Sequence, residues 1–293
     1  MKHLIVISLI LVLFSNLSWS IEPFYKMIEK EASISEVTKE IEESLKASNF
    51  EILGSYNVAN NKNFHVIVFT NDKLKEIASS YPERGALATA QKVGLSYKDG
   101  ITKVSLLNPL YMFHAYFLKD YNKRADELIA ETKTIKKIFS EMGAGFTPFG
   151  GDVSIDDLHD YQYMIGMPEF SDPVKLSSFD SFDEGVKVIR KNLEAKKGGA
   201  IKVYELINQD KKTAVFGIGL LDASNGEKHF LSIIGEDHLA AMPYEIILQE
   251  NKVTMLHGRF RFALYWPELS MSTFTKIMST PGDVEDFLEA ICE

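Results

Sequence analysis

Apolar residues fall at helical spacing early in the chain, with Val37, Ile41 and Leu45 at i, i+4 and i+8 behind an N-cap serine at Ser35. This helix is predicted to end near Asn49. Two strand-like stretches follow, residues 50–58 and Phe64–Thr70, divided by the polar turn 59–63. A short helical stretch over Asp72–Ser79 leads through the small-residue run 85–90 to strands at 93–98 and 101–107. Asp99-Gly100 between them is a hairpin signal, because both residues tolerate positive φ in a two-residue turn. Asn108-Pro109 closes the second strand, and helix resumes over 125–139.

The second half repeats this order. A helix is predicted over 183–196, with Val186, Ile189 and Leu193 on one face, then strands over 200–207 and 213–221. His238-Leu239-Ala240-Ala241-Met242 precedes a strand at 243–249, a turn at Glu250-Asn251, and a long strand over 252–266 closed by Pro267. Leu87-Ala88 matches Leu239-Ala240, and Asn108-Pro109-Leu110-Tyr111-Met112 resembles the stretch from Trp266-Pro267 to Met271. Shared element order, a recurring hairpin and a terminal proline argue for an internal duplication. One difference stands out: Asn225-Gly226 reads as a loop where the first half has the helix Asp72–Ser79. A C-terminal helix carries Val284, Phe287, Leu288 and Ile291 behind a Pro281-Gly282 break.

Between the halves, residues 143–181 hold five glycines and three prolines, which break regular structure. Phe146, Phe149, Tyr161, Tyr163, Met164 and Phe170 in the same stretch are too apolar to leave in water. The expected organisation is a leader at 1–20, an N-terminal domain at 21–142, a packed linker at 143–181 and a C-terminal domain at 182–293. The fold class is α+β, with two related domains, each an antiparallel sheet with helices on one face.

The order helix, strand, strand, helix, followed by a Leu-Ala segment entering a hairpin that ends at Asn108-Pro109, resembles the bacterial domain of unknown function 302. The resemblance covers about residues 33–112 and, through the duplication, about residues 182–271. It implies a compact α+β fold with helices over one face of an antiparallel sheet. The family has no established activity, so the resemblance implies no mechanism.

Charge and the N-terminus narrow the setting. With 32 Lys and Arg against 41 Asp and Glu, the net charge of −9 argues against nucleic acid, whose binding depends on clustered cations. Met1-Lys2-His3 and the 11-residue run 4–14, apolar apart from Ser8, read as a secretory leader too short to span a bilayer, which takes about 20 apolar residues. Ser18 and Ser20 place cleavage after Ser20, so the mature chain is expected in the periplasm or outside the cell, with no membrane span. The one cysteine, Cys292, cannot form an intramolecular disulfide and reads as an inert thiol.

No Gly-x-Ser-x-Gly elbow, Walker loop or His-Glu-x-x-His is present, so no catalytic residue is assigned. Residues 156–161 with Met164 and Met167 bring imidazole, carboxylates and thioethers together, a set that suits copper. No second His stands at ligand spacing, so they read as an acidic loop docked by its apolar residues. No metal is assigned, and no cofactor is identified. Gly217-Ile218-Gly219 reads as a site of close backbone packing.

The long stretch 252–266 offers the clearest candidate surface. Read as a strand, its even positions (Leu256, Phe260, Phe262, Leu264, Trp266) belong to the core, and its odd positions bring His257, Arg259, Arg261 and Tyr265 to one face. Counting back across Glu250-Asn251 places Tyr244 opposite His257 and Ile246 opposite Met255. Arginine forks suit carboxylates and phosphates, so Tyr244, His257, Arg259, Arg261 and Tyr265 are the expected ligand-binding residues. The expected function is that of an exported, non-catalytic binding protein for a small anionic ligand or an envelope partner, using a groove or sheet face of the tandem domains. The alternatives are a structural assembly factor of an envelope complex, or an enzyme of unrecognised type.

Overall fold

Ser33 and Glu36 open the first long helix. The Ser33 hydroxyl accepts the Glu36 N–H at 3.3 Å, and the Glu36 carboxylate accepts the Ser33 N–H at 2.9 Å. Helix α1 (Ile34–Ala47) therefore starts from Ser33 rather than from Ser35, because only a Ser with an acid three residues on closes this reciprocal cap. In the second half Ser181 accepts the Glu184 N–H at 3.2 Å in the same spacing.

The computed structural model describes residues 19–81, 84–162 and 164–293. The expected leader lies outside the described residues as far as residue 18. Around α1 the first half contributes β1 (Ser20–Ile21), β2 (Phe24–Lys30), β3 (Glu51–Asn57), β4 (Phe64–Thr70), α2 (Asp72–Ser79), β5 (Gln91–Lys98), β6 (Ile101–Leu107), α3 (Pro109–Phe117) and α4 (Ala125–Glu141). The middle holds β7 (Thr147–Phe149), β8 (Val153–Ser154), α5 (Ile155–His159) and β9 (Val174–Ser178). The second half continues with α6 (Phe182–Glu194), β10 (Ala200–Asn208), β11 (Thr213–Leu220), α7 (Glu227–Ile234), β12 (Tyr244–Gln249), β13 (Lys252–Met255), α8 (Gly258–Tyr265), α9 (Met271–Phe274) and α10 (Thr280–Ala290).

Both large sheets are antiparallel. The first has the order β3-β4-β5-β6-β2-β7 and the second the order β10-β11-β12-β13-β9. Without β7 the two orders are the same, and each helix of one unit has a counterpart in the other. The fold is thus α+β, with two sheet-bearing units built on one plan.

Four expectations change. The stretch 143–181 is no irregular linker: β7 joins the first sheet beside β2, β8 pairs with β1, and β9 is the edge strand of the second sheet. The second unit therefore begins at Val174, since its first strand pairs with β13 and not with anything upstream. A helix, α7, occupies the place read as a loop after Asn225-Gly226. Helix α3 follows Asn108 directly, with Asn108 accepting the Leu110 N–H at 3.1 Å and Pro109 in the first turn. The long strand 252–266 is a four-residue strand followed by α8. Ile246 pairs with Met255 as expected, but the ladder stops there, and His257 caps α8 by accepting the Arg259 N–H at 3.2 Å. Residues 260–266 are all buried, Arg261 included, so the Arg-Phe alternation at 259–262 does not mark a wet and a dry face, and the strand period it suggests is misleading.

Aligning the caps makes His257, not Trp266, the counterpart of Asn108, and Tyr265 the counterpart of Tyr116. These two tyrosines meet, hydroxyl to hydroxyl, at 2.5 Å. A residue touching its own counterpart marks a two-fold relation between the units, as in an isologous dimer.

Each sheet turns one face to helices. On the first, Phe69 packs between Phe50 and Phe139 of α4, with ring centroids at 5.7 and 6.3 Å. On the second, Leu248 reaches Gly185 of α6, where an added Cβ would lie 2.9 Å from it. The opposite faces turn toward each other. A Cβ on Gly217 would lie 2.1 Å from the Tyr204 ring, and one on Gly219 would lie 2.7 Å from the Tyr56 ring. Gly217-Ile218-Gly219 is a site of close approach, as expected, although aromatic rings rather than backbone fill the space.

Gly217→Ala is expected to lower the unfolding free energy by about 1–3 kcal/mol in a urea titration, the usual cost of over-packing. Combined with Tyr204→Ala it should destabilise by less than the sum of the two single changes. Additive losses would mean that the ring and the glycine do not interact.

Candidate functional site

The facing sheets enclose a set of charged and phenolic side chains. Lys92 of β5, fully buried, places its ammonium 2.7 Å from Glu245 Oε1 of β12, and the Tyr204 hydroxyl donates to the same oxygen at 2.6 Å. Glu227, the first residue of α7, accepts the Tyr56 hydroxyl at 2.7 Å, the Ala59 N–H at 2.8 Å and the Leu220 N–H at 3.2 Å. Burial raises the Glu227 carboxyl to about 7, against its three donors and Arg261, which pull the other way. Burial likewise lowers the Lys92 ammonium, against the attraction of Glu245.

Three of the five expected ligand-binding residues join this set. Arg261 lies on α8 with its guanidinium 3.7 Å from the centroid of the Tyr244 ring and 5.1 Å from that of Tyr265. It donates to the carbonyls of Ala241 and Pro243, the latter at 3.3 Å. Burial pushes the Tyr244 phenol up to about 12, although the guanidinium draws it down. The grouping of Tyr244, Arg261 and Tyr265 is real, but it is interior and not a sheet surface, because α8 turns Arg261 inward. Tyr244 does not oppose His257; it pairs with Ile218 of β11. His257 is spent on its cap.

Of the five, Arg259 is the exposed one, while His257 is half-buried. The other four arginines are engaged: Arg124 and Arg190 with carboxylates, Arg261 as above, and Arg84 on the Phe170 carbonyl and ring. Among the described residues Arg259 has no ion-pair partner. It lines a pocket of about 210 Å³ whose walls include Phe262, Trp266, Phe274, Met167 and Met271. At its rim Met164 is 51% exposed, Met271 52% and Met278 61%, and Ile165 beside Met164 is 99% exposed. Among the described residues, four of the six exposed large hydrophobic side chains thus fall at or beside this pocket, a concentration typical of interaction sites. Sequence reasoning took Met164 and Met167 as apolar residues docking a loop, with copper ligation as the rival, and missed the pocket, since α8 and α9 bring its walls from distant positions.

The acidic loop brings His159 to a second histidine that no local spacing connects to it. His159 on α5 hydrogen-bonds His114 of α3, with 3.0 Å between their nitrogens, and among the described residues no three His, Cys, Asp or Glu side chains stand together as a ligand set. Burial, with His159 beside it, lowers His114 to about 4. Burial pushes the Cys292 thiol up to about 12, and the thiol donates to the Leu288 carbonyl at 3.2 Å, in keeping with an inert group.

Fold and site together define a duplicated α+β protein with a charged interior seam and an apolar pocket on its surface. No family model and no curated protein matches the chain. Among solved structures, the crystal structure of an uncharacterized conserved DUF302 protein from Bacillus stearothermophilus is similar at 15% identity, with a TM-score of 0.33, over 40% of this chain and 95% of that one.

Lys92→Met should lose about 3–5 kcal/mol of stability in a denaturant titration, because Glu245 stays buried without the ammonium that sits against it. Replacing the set by Met, Leu and Phe at Lys92, Glu245 and Tyr204 should recover most of that loss. A triple variant as unstable as the single one would show that packing, not the unpaired charge, sets the cost.

Proposed function

We propose that the mature chain is an exported, non-catalytic binding protein whose ligand carries an anionic group and rests in the pocket beside Arg259. The carrying observation is the unpartnered Arg259 guanidinium on an otherwise apolar pocket in a protein of net charge −9. Elsewhere the strongest cations are sealed in: Lys92 and Arg261 lie in the seam, out of reach of any ligand. The envelope-partner reading has its own observation, the full exposure of Ile165 outside the pocket.

Export is supported by the basic leader, the apolar run 4–14 and the small residues Ser18 and Ser20. Cleavage after Ser20 would leave Ile21 paired with Val153 and would spare β2 and the first sheet. N-terminal sequencing of protein isolated from its own cells should begin at Ile21; a chain that retains Met1 would overturn export.

Anilinonaphthalene sulfonate, an aromatic anion that brightens in apolar surroundings, is a suitable probe. The native protein should bind it saturably, and Arg259→Gln should weaken binding about fivefold with an unchanged urea midpoint. Met278→Glu should weaken it as well by placing a like charge at the rim. Equal binding by all three proteins would remove this site. Loss of a co-purifying protein from Ile165→Asp, with probe binding intact, would favour the envelope partner.

A further inference from the structure

The pocket's shape and chemistry specify its ligand more closely. We propose that it receives a free single-chain aliphatic acid, with the chain among the methionines and the carboxylate on Arg259; this rests on the reading of the pocket as a ligand site. Three observations carry it.

First, the space of about 210 Å³ is small for a rigid drug-sized molecule, yet it holds roughly seven chain carbons at a water-like ~30 Å³ apiece. Second, the walls that move are thioethers. Met164, Met167, Met271 and Met278 have unbranched side chains that can follow a flexible chain of variable length, whereas Phe262 and Trp266 make a fixed floor. Third, the polar groups of the lining leave one kind of head group. The Thr275 hydroxyl is already committed to the Met271 carbonyl at 2.8 Å, so the donor left for a ligand is the exposed Arg259 guanidinium. It donates and cannot accept, which matches a carboxylate and not an amine or an ammonium. A neutral alcohol would leave the guanidinium uncompensated.

The test is displacement of anilinonaphthalene sulfonate by straight-chain carboxylates of increasing length, each below its micelle concentration. Affinity should rise about fourfold per methylene, the worth of burying one such group, and level off near seven chain carbons. The alcohol of equal length should bind about fivefold more weakly than the acid, and Arg259→Gln should erase that difference while keeping the chain-length slope. Met271→Gln with Met278→Gln, both at exposed positions, should flatten the slope without unfolding the protein.

Acids that displace the probe with no dependence on length would overturn the chain and leave an anion site. A slope with no preference for acid over alcohol would overturn the head-group assignment. If no chain displaces a probe whose own binding needs Arg259, the ligand class is wrong although the pocket remains a binding site. Co-sedimentation with anionic vesicles, together with failure of free acids to compete, would assign the pocket to a membrane lipid and overturn a free acid.

Discussion

The pairing of Lys92 with Glu245 governs how the rest of this protein can be built. A single charge in this position would be intolerable, and two charges are tolerable only while the sheets hold them 2.7 Å apart. The sheets must therefore face each other at a fixed separation and register. Tyr204 and Tyr56 fill the gap, Gly217 and Gly219 give their rings room, and Tyr116 meets Tyr265 where α3 and α8 converge. The outer faces are left to ordinary apolar packing under α1, α4 and α6. Most of the specificity of the arrangement resides in the seam, because apolar faces alone would accept a slide that the charge pair forbids.

Much of this was legible from residue pattern. Val37, Ile41 and Leu45 announced α1, Asp99-Gly100 announced its hairpin, and the repeat of element order announced a second antiparallel sheet, while the strands β2 and β9 that complete the two sheets went unread. What escaped were the segments buried on all sides. Residues 109–117 are apolar at nearly every position, so neither a period of two nor one of 3.6 residues stands out there, whereas Arg259-Phe260-Arg261-Phe262 alternates with the period of a strand, and α8 was read as one. That error moved Arg261 from the interior to a surface. Tyr244, Arg261 and Tyr265 do lie together, though not through the strand alternation and register that first grouped them: α8, not a strand, brings Arg261 onto the Tyr244 ring. Lys92 and Glu245 were invisible as partners, since they lie in different units and no local spacing connects them.

The pocket beside Arg259 shows the same division between local and distant information. Its floor is the buried face of α8, its rim comes from α9 and from residues 164–167, and no one segment is unusual by itself. Methionine at the rim suits a surface that must stay soluble when empty and yet conform to an apolar guest. The nearby seam provides stiffness: Trp266, a wall of the pocket, stacks on His238 at 5.4 Å, and Phe262 packs against Phe230 at 5.6 Å. A deformable rim thus stands on a rigid base.

The two-fold relation between the units has a structural consequence. A symmetric pair of identical chains would carry every cross-contact twice, once in each direction. Here the counterpart of Glu245 is Gly94, that of Lys92 is Pro243, and that of Arg261 is Met112, as the matching hairpins and helix caps require. The charge pair and the buried guanidinium therefore each occur once. Joining the two units in one chain frees the two halves of such an interface to differ, so the Tyr116–Tyr265 contact keeps the near-symmetry of the seam while the charges around it break it.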